Sequence, residues 1–279
     1  MTVTKTFRVS YFEMGRFFIP SKEVISVEIL QVDHIQQKYQ AENGEITAIQ
    51  DISFTMQKGE FLSIVGPSGC GKSTLLSMIA GLLPPSRGSI RVKGEEIHGV
   101  SSHIGYMLQK DNLLEWRTIK KNVQLGLEVR HMLTPEAIAR TQRLLETYGL
   151  AEFQEKYPSQ LSGGMRQRAA LIRTLAINPD ILLLDEAFSA LDFQTRLSVT
   201  EDVYHILKQE QITTIMVTHD IPEGISMGDR ILILSSRPAV IREMLPLEFD
   251  LPQRTPLACR NHPNFSRYFH HIWKEMNAT

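Results

Sequence analysis

The sequence predicts an α/β fold: an open sheet of buried strands with helices packed on it, and a separate block of helices set into the chain. Three observations predict it. The apolar run at 61–65 passes through a glycine-rich loop, 66–71, straight into the helical spacing of 72–83. The same rhythm of short apolar runs and helical periods returns between 181 and 234. From 119 to 179, by contrast, almost no β signal survives.

Strands are expected over 27–32, 46–56 and 61–65, where apolar residues alternate or run together over strand lengths, with turns at Gly44 and Gly59. The helix after the loop stops at Pro84 and Pro85, which lack the N–H that a helix needs. Short strands follow at 89–93 and 103–108. Inside the helical block, Thr134 and Pro135 fit the N-cap and first position of a helix, and Gly149 fits the left-handed residue past its end. A strand at 181–184, a helix at 196–209 and strands at 213–217 and 230–234 resume the α/β order. Beyond Leu245 prolines interrupt the chain until an amphipathic stretch at 265–276. Neither an internal repeat nor a low-complexity segment is evident.

Composition narrows the function. Thirty basic side chains against 31 acidic ones leave a net charge of −1 over 279 residues, so no bulk electrostatic footprint for nucleic acid or anionic lipid exists. Cys70 and Cys259 form neither a CxxC pair nor a zinc quartet, which suits a reducing compartment rather than a disulfide scaffold. No apolar run approaches the ~20 residues that span a bilayer. Residues 1–26 read as a loose leader, in which Arg8, Glu13 and Arg16 break up any stretch of signal-peptide length; the alternative is a translation start at Met14.

The chemistry begins with Gly66, Pro67, Ser68, Gly69, Cys70, Gly71, Lys72 and Ser73, which satisfy GxxxxGK[ST] between a strand and a helix, with Thr74 next in the helix. Glycines there let backbone N–H groups converge on phosphate oxygens at a positive helix end. Lys72 reaches the terminal phosphates, and the Ser73 hydroxyl suits Mg²⁺. Cys70 reads as a tolerated small residue within this binding loop.

Two more apolar strands end in polar residues: 181–184 in Asp185 and Glu186, and 213–217 in Thr218, His219 and Asp220. Carboxyl ends of parallel strands converge on one crevice, so these groups should meet the loop. Asp185 could then hold Mg²⁺, Glu186 is free to orient or deprotonate a water, and His219 could touch the terminal phosphate or fix that water. Ser162, Gly163 and Gly164 open another helix and form a second phosphate-binding turn. It lies at the far end of the helical block, out of reach of its own chain's nucleotide, where a second copy of the chain could use it.

These residues together resemble the ATP-binding cassette of an ABC transporter. The match covers about 27–245: the phosphate loop, Gln109 after Tyr106, the turn at 161–165, the run 181–186, Ser189 to Asp192, and His219. The resemblance implies a P-loop NTPase with a RecA-like core, an antiparallel β subdomain, an inserted α-helical subdomain at about 115–178 and a C-terminal tail, 246–279, with a short helix. It further implies that Tyr39 stacks on adenine, that Gln109 senses Mg²⁺ and the attacking water, and that Ser162, Gly163 and Gly164 bind the γ-phosphate of an ATP held by the opposite subunit. Asp192 would work across that interface.

Residues 109–123, Ser235 to Pro238 and Asp250 to Pro252 resemble the nitrate, sulfonate and taurine importer branch, although Glu115 stands where that branch usually has proline. The implied protein is a Mg²⁺-dependent ATPase that dimerises on ATP at the cytoplasmic face of a membrane and drives a separate permease, which is in turn served by a solute-binding protein. Leu114 and Trp116 would form part of the permease socket. Soluble ABC ATPases of repair or chromosome structure carry a coiled coil or zinc module between loop and signature, and those of translation carry two cassettes. Neither is present, and a scaffold cassette of iron–sulfur assembly is the alternative. His262, His270 and His271 read as a solvated tail rather than a metal site, since no acidic or thiol partner accompanies them.

Overall fold

A computed structural model describes residues 28–41 and 44–277, so the expected leader lies outside the described residues. The strands are β1 (Glu28–Ala41), β2 (Gly44–Gln57), β3 (Phe61–Val65), β4 (Arg87–Val92), β5 (Glu95–Glu96), β6 (Ile104–Met107), β7 (Ile181–Asp185), β8 (Thr213–Val217), β9 (Arg230–Leu234) and β10 (Ala239–Pro246). The helices are α1 (Lys72–Ile79), α2 (Ile119–Val123), α3 (Leu125–Val129), α4 (Pro135–Thr147), α5 (Gly163–Ala176), α6 (Phe193–Gln209), α7 (Ile221–Met227), α8 (Pro256–Arg260) and α9 (Pro263–Asn277).

One sheet runs in the order β5-β4-β1-β2-β10-β9-β3-β8-β7-β6. Its β9-β3-β8-β7-β6 half is parallel throughout, and β1, β2, β4 and β5 pair antiparallel. Every residue of β3, β7 and β8 is buried, the reason these strands read as largely apolar runs rather than alternations, with Ser63, Thr213, Thr214 and Asp185 buried among the apolar residues. Alternate side chains feed opposite faces. Leu182, Leu184 and Met216 pack with Leu171, Leu175 and Val203 of α5 and α6, and Leu183, Ile215 and Val217 pack with Leu75 and Leu76 of α1 and with Ile35 and Ile52 of the antiparallel strands.

β10 has no counterpart among the expected elements. It pairs antiparallel with β9 over most of its length, while Ala239 and Val240 meet Ile49 and Asp51 of β2 in parallel, so this strand joins the antiparallel half to the parallel half. The helix expected at 196–209 starts at Phe193, because Asp192 caps it: its carboxylate accepts the Thr195 N–H at 3.1 Å. In the helical block, Thr134 caps α4 through the Ala137 N–H with Pro135 in its first turn, and Gly149 past its end has φ 69°.

The C-terminal residues dock on the core. Tyr268 and Ile272 of α9 are buried with Ile221, Ile225, Ile231 and Ile233, and Arg254 binds Asp229 at 3.1 Å. The three histidines go separate ways: His262 sits edge-on to Phe249, His270 binds the Ser266 carbonyl, and His271 binds Glu243 at 2.7 Å. Among the described residues no cluster of three or more metal-ligating side chains forms, and no helix is long and apolar enough to cross a membrane.

Candidate functional site

The loop after β3 is shaped by residues that tolerate its backbone. Gly69 and Gly71 have φ 72° and 122°, conformations that cost a side-chain-bearing residue about 1–2 kcal/mol. No side chain caps α1 and no acidic residue stands in its first turn, which leaves a positive helix end facing outward. Ser68 and Gly69 at the tip are exposed, Pro67, Gly71 and Thr74 are half-buried, and Gly66 and Cys70 are buried. Burial pushes the Cys70 thiol up, so it stays neutral against the packed interior although Lys72 pulls the other way. The Lys72 ammonium is folded over the loop and donates to the carbonyls of Gly66 at 2.8 Å and Pro67 at 2.9 Å.

Two strand ends complete the crevice. Because β8 lies between β3 and β7, the end of β7 sits within reach of the start of α1. Ser73 Oγ donates to Asp185 Oδ1 at 3.0 Å, and the Tyr106 hydroxyl donates to Oδ2 at 3.1 Å. Burial raises the Asp185 pKa, and the neighbouring Glu186 adds to the rise, while the bonds from Ser73 and Tyr106 hold it back. Burial and the Asp185 charge likewise lift the Tyr106 phenol far above its ordinary range, which keeps it a donor.

Glu186 follows with φ 46°, a left-handed backbone uncommon for any residue other than glycine. Its N–H is held by the Val217 carbonyl at 2.9 Å, and its own carbonyl accepts the Ser189 hydroxyl at 2.9 Å. That twist turns the Glu186 carboxylate toward two partners: His219 Nδ1 at 3.2 Å, and the Gln109 amide at 3.4 Å, which also reaches Ser189 Oγ at 3.3 Å. The His219 ring is 57% exposed and faces solvent on its other side.

Tyr39, 40% exposed, lies on β1 two residues beyond Gln37, whose partner across the sheet is Ile49. Ile49 in turn lies against Gly71 of the phosphate loop, whereas Tyr39 itself pairs with Ile46 of β2. Ser162 caps α5, accepting the Met165 N–H at 3.3 Å, with Gly163 against Leu191 and Gly164 against Thr195 and Val199. No hydrogen bond among the described residues links 162–164 to 66–74. Leu191, the chain neighbour of Asp192, packs against this second turn.

Sequence reasoning did not assign roles to Tyr106, Ser189, Arg196 or Asp220 in this site. Tyr106 and Ser189 carried a signal as neighbours of Gln109 and Asp192 in the motifs, and Asp220 as part of the polar end of the 213–217 strand; Arg196 carried none. A cavity of about 400 Å³ lies away from the loop, lined by Trp116, Arg117, Lys121, Gln124, Glu128 and Leu133. Trp116 there is 75% exposed. The turn that carries it is held by Asn122, fully buried, which bonds the Leu114 N–H and the carbonyls of Leu114, Arg117 and Thr118.

The family model described as ABC transporter matches residues 49–189. The uncharacterized ABC transporter ATP-binding protein YtlC of Bacillus subtilis is 48% identical over 252 residues, covering 90% of this chain and 97% of its own length. The nitrate import ATP-binding protein NrtD of a Synechocystis species is 37% identical, covering 86% of this chain and 91% of its own. A solved dimeric ATP-binding cassette in a post-hydrolysis state, bound to ADP and Pi, superposes with a TM-score of 0.68 at 29% identity over 79% of this chain and all of that one. With half of its length under the family model and a near full-length relative at 48% identity, this chain belongs to the ABC transporter family, as one of its ATP-binding proteins.

Proposed function

We propose that this chain is the ATP-hydrolysing subunit of an importer for a small solute of the nitrate, sulfonate or taurine kind, working as an ATP-closed dimer against a separate membrane permease. The observation that supports it most is the meeting of Lys72, Ser73, Asp185, Glu186, Gln109 and His219 at the carboxyl ends of β3, β7 and β8 and the segment after β6.

In this reading the loop N–H groups of 66–71 and of Ser73 and Thr74 bind the phosphates, and Tyr39 stacks on adenine. Lys72 leaves the Gly66 and Pro67 carbonyls for the terminal phosphates, exchanging two neutral acceptors for charged ones. The donor set fits Mg²⁺: Ser73 Oγ and Asp185 Oδ1 already converge, both are hard oxygens, and a nearby cation would relieve the burial that disfavours the Asp185 carboxylate. Ser73, Asp185 and Gln109 would hold it, and when bound it neutralises charge that develops on the phosphates. Glu186 takes a proton from the attacking water, while His219 and Gln109 fix the positions of that water and of the carboxylate.

The turn at 162–164 closes the γ-phosphate site of a second copy, which is why it stands apart from its own loop, and Asp192 beside it faces the same junction. Trp116 and the cavity beneath it receive the permease, placing the subunit on the membrane's inner face, with the solute-binding protein reached only through the permease. The test is uptake by the reconstituted complex together with hydrolysis by the isolated chain. Hydrolysis that survives Lys72→Ala would overturn the assignment of the site, and a complex that takes up no member of this solute class would overturn the importer branch.

A further inference from the structure

The contacts around Glu186 close into a ring whose last link is Arg196, a residue that no motif points to. Glu186 touches Gln109, and Gln109 touches Ser189. The Ser189 and Leu191 carbonyls accept Arg196 Nη2, at 3.4 Å and 2.9 Å. Arg196 Nη1 binds Asp220 Oδ2 at 3.0 Å, Asp220 is joined through the backbone to His219, and His219 returns to Glu186. The two ends of the guanidinium thus bridge the turn after Glu186 and the turn that carries His219.

Asp220 divides its oxygens between two duties. Oδ1 accepts the Glu223 N–H at 2.9 Å and caps α7, and Oδ2 takes Arg196. The cap fixes the helix start, whereas the ion pair fixes where that start sits relative to the 189–191 turn. Both side chains are largely shielded from water, Arg196 being 22% and Asp220 26% exposed, so the pair is screened less than a surface pair. A lysine has one nitrogen and could not span both anchors.

We propose that Arg196 is a positioning residue for hydrolysis, which holds His219 and the 189–191 turn in one register about the Glu186 carboxylate. The proposal rests on the reading of Glu186 and His219 given above. Because Arg196 touches neither the phosphate loop nor its lysine, its loss should lower turnover and leave ATP affinity in place.

The test is a double-mutant cycle on the full-length chain, with Arg196→Gln, Asp220→Asn and the pair combined, reading kcat and KM for ATP together with the melting temperature. Asp220→Asn keeps the Oδ1 cap, so a folded variant lacking the ion pair is available even if Arg196→Gln unfolds. Each single variant should lose about tenfold in kcat with KM within about twofold, and the double variant should be no worse than either, as expected for one shared contact. Arg196→Lys should recover only part of the loss. Losses that multiply in the double variant, a KM that rises with kcat unchanged, or a folded Asp220→Asn protein with wild-type kcat would each overturn the proposal while wild-type hydrolysis still stands. Absence of Lys72-dependent hydrolysis in the wild-type chain would overturn the functional reading and this inference with it.

Discussion

The Ser73 hydroxyl lies 3.0 Å from the Asp185 carboxylate although 112 residues separate them in the chain. Burial raises the Asp185 pKa, so the folded site disfavours the charged form of this carboxyl. A carboxyl with a folded-state pKa above its unfolded one lowers stability once pH passes the unfolded value. Asp185→Asn should therefore melt higher than wild type at pH 7 without nucleotide, yet hydrolyse ATP at least about a hundredfold more slowly. Calorimetry and a phosphate-release assay over a Mg²⁺ titration check both signs; a variant that melts lower would show that the charge is compensated.

Lys72→Ala should leave the circular dichroism spectrum unchanged and weaken ATP binding by at least about tenfold, because a charge-assisted contact to phosphate disappears. The loss of two bonds to the Gly66 and Pro67 carbonyls should also cost about 1–3 kcal/mol of stability, readable by urea denaturation.

Glu186→Gln conserves volume and removes the proton acceptor. Turnover should fall by about 10²–10⁴-fold, and with Mg·ATP the variant should elute at twice the monomer mass, since the step that opens the clamp is missing. Adding Ser162→Arg should return it to monomer by blocking the second copy's phosphate site. Wild-type turnover in Glu186→Gln would end its catalytic role.

Trp116→Ala should leave hydrolysis by the isolated chain intact and weaken permease binding by about 2 kcal/mol or more, near thirtyfold, as for a truncated interface aromatic. Asn122→Ala should reproduce that loss indirectly by releasing the 114–118 turn, and should also destabilise the fold by about 2–4 kcal/mol because several bonds at a fully buried site go with it. Pull-down and uptake should fall for both variants, and urea denaturation separates them, since only Asn122→Ala loses stability.

Glu223 is buried beside Asp220, and burial pushes its pKa from 4.5 to about 7. The folded state then holds a proton that the unfolded state has lost, so this group's contribution to stability falls as pH rises from 4.5 to 7. Glu223→Gln should remove that fall and be more stable than wild type at pH 8, by of the order of 3 kcal/mol. Urea midpoints at pH 5 and pH 8 give the comparison; equal pH dependence in the two proteins would show that Glu223 titrates normally.

The phosphate loop, the acidic end of β7 and the histidine at the end of β8 are legible in the sequence because each is a local arrangement. A glycine-rich turn must use residues that accept positive φ, and fully buried parallel strands are mostly apolar until they reach the sheet's edge. The family resemblance rests on those same short segments. β10 was not legible, since its pairing with both β9 and β2 is set by the edges those strands present and not by its own weak pattern.

The sequence by itself thus determined which chemical groups are available and that β3, β7 and β8 bring them to one edge. Only the tertiary structure decided how they are held: Tyr106 on Asp185, Gln109 shared between Glu186 and Ser189, and Arg196 between Asp220 and the 189–191 turn. Those bonds join distant segments through strand register and helix packing, and directional bonds of about 3 Å form only once the whole sheet has fixed the distances.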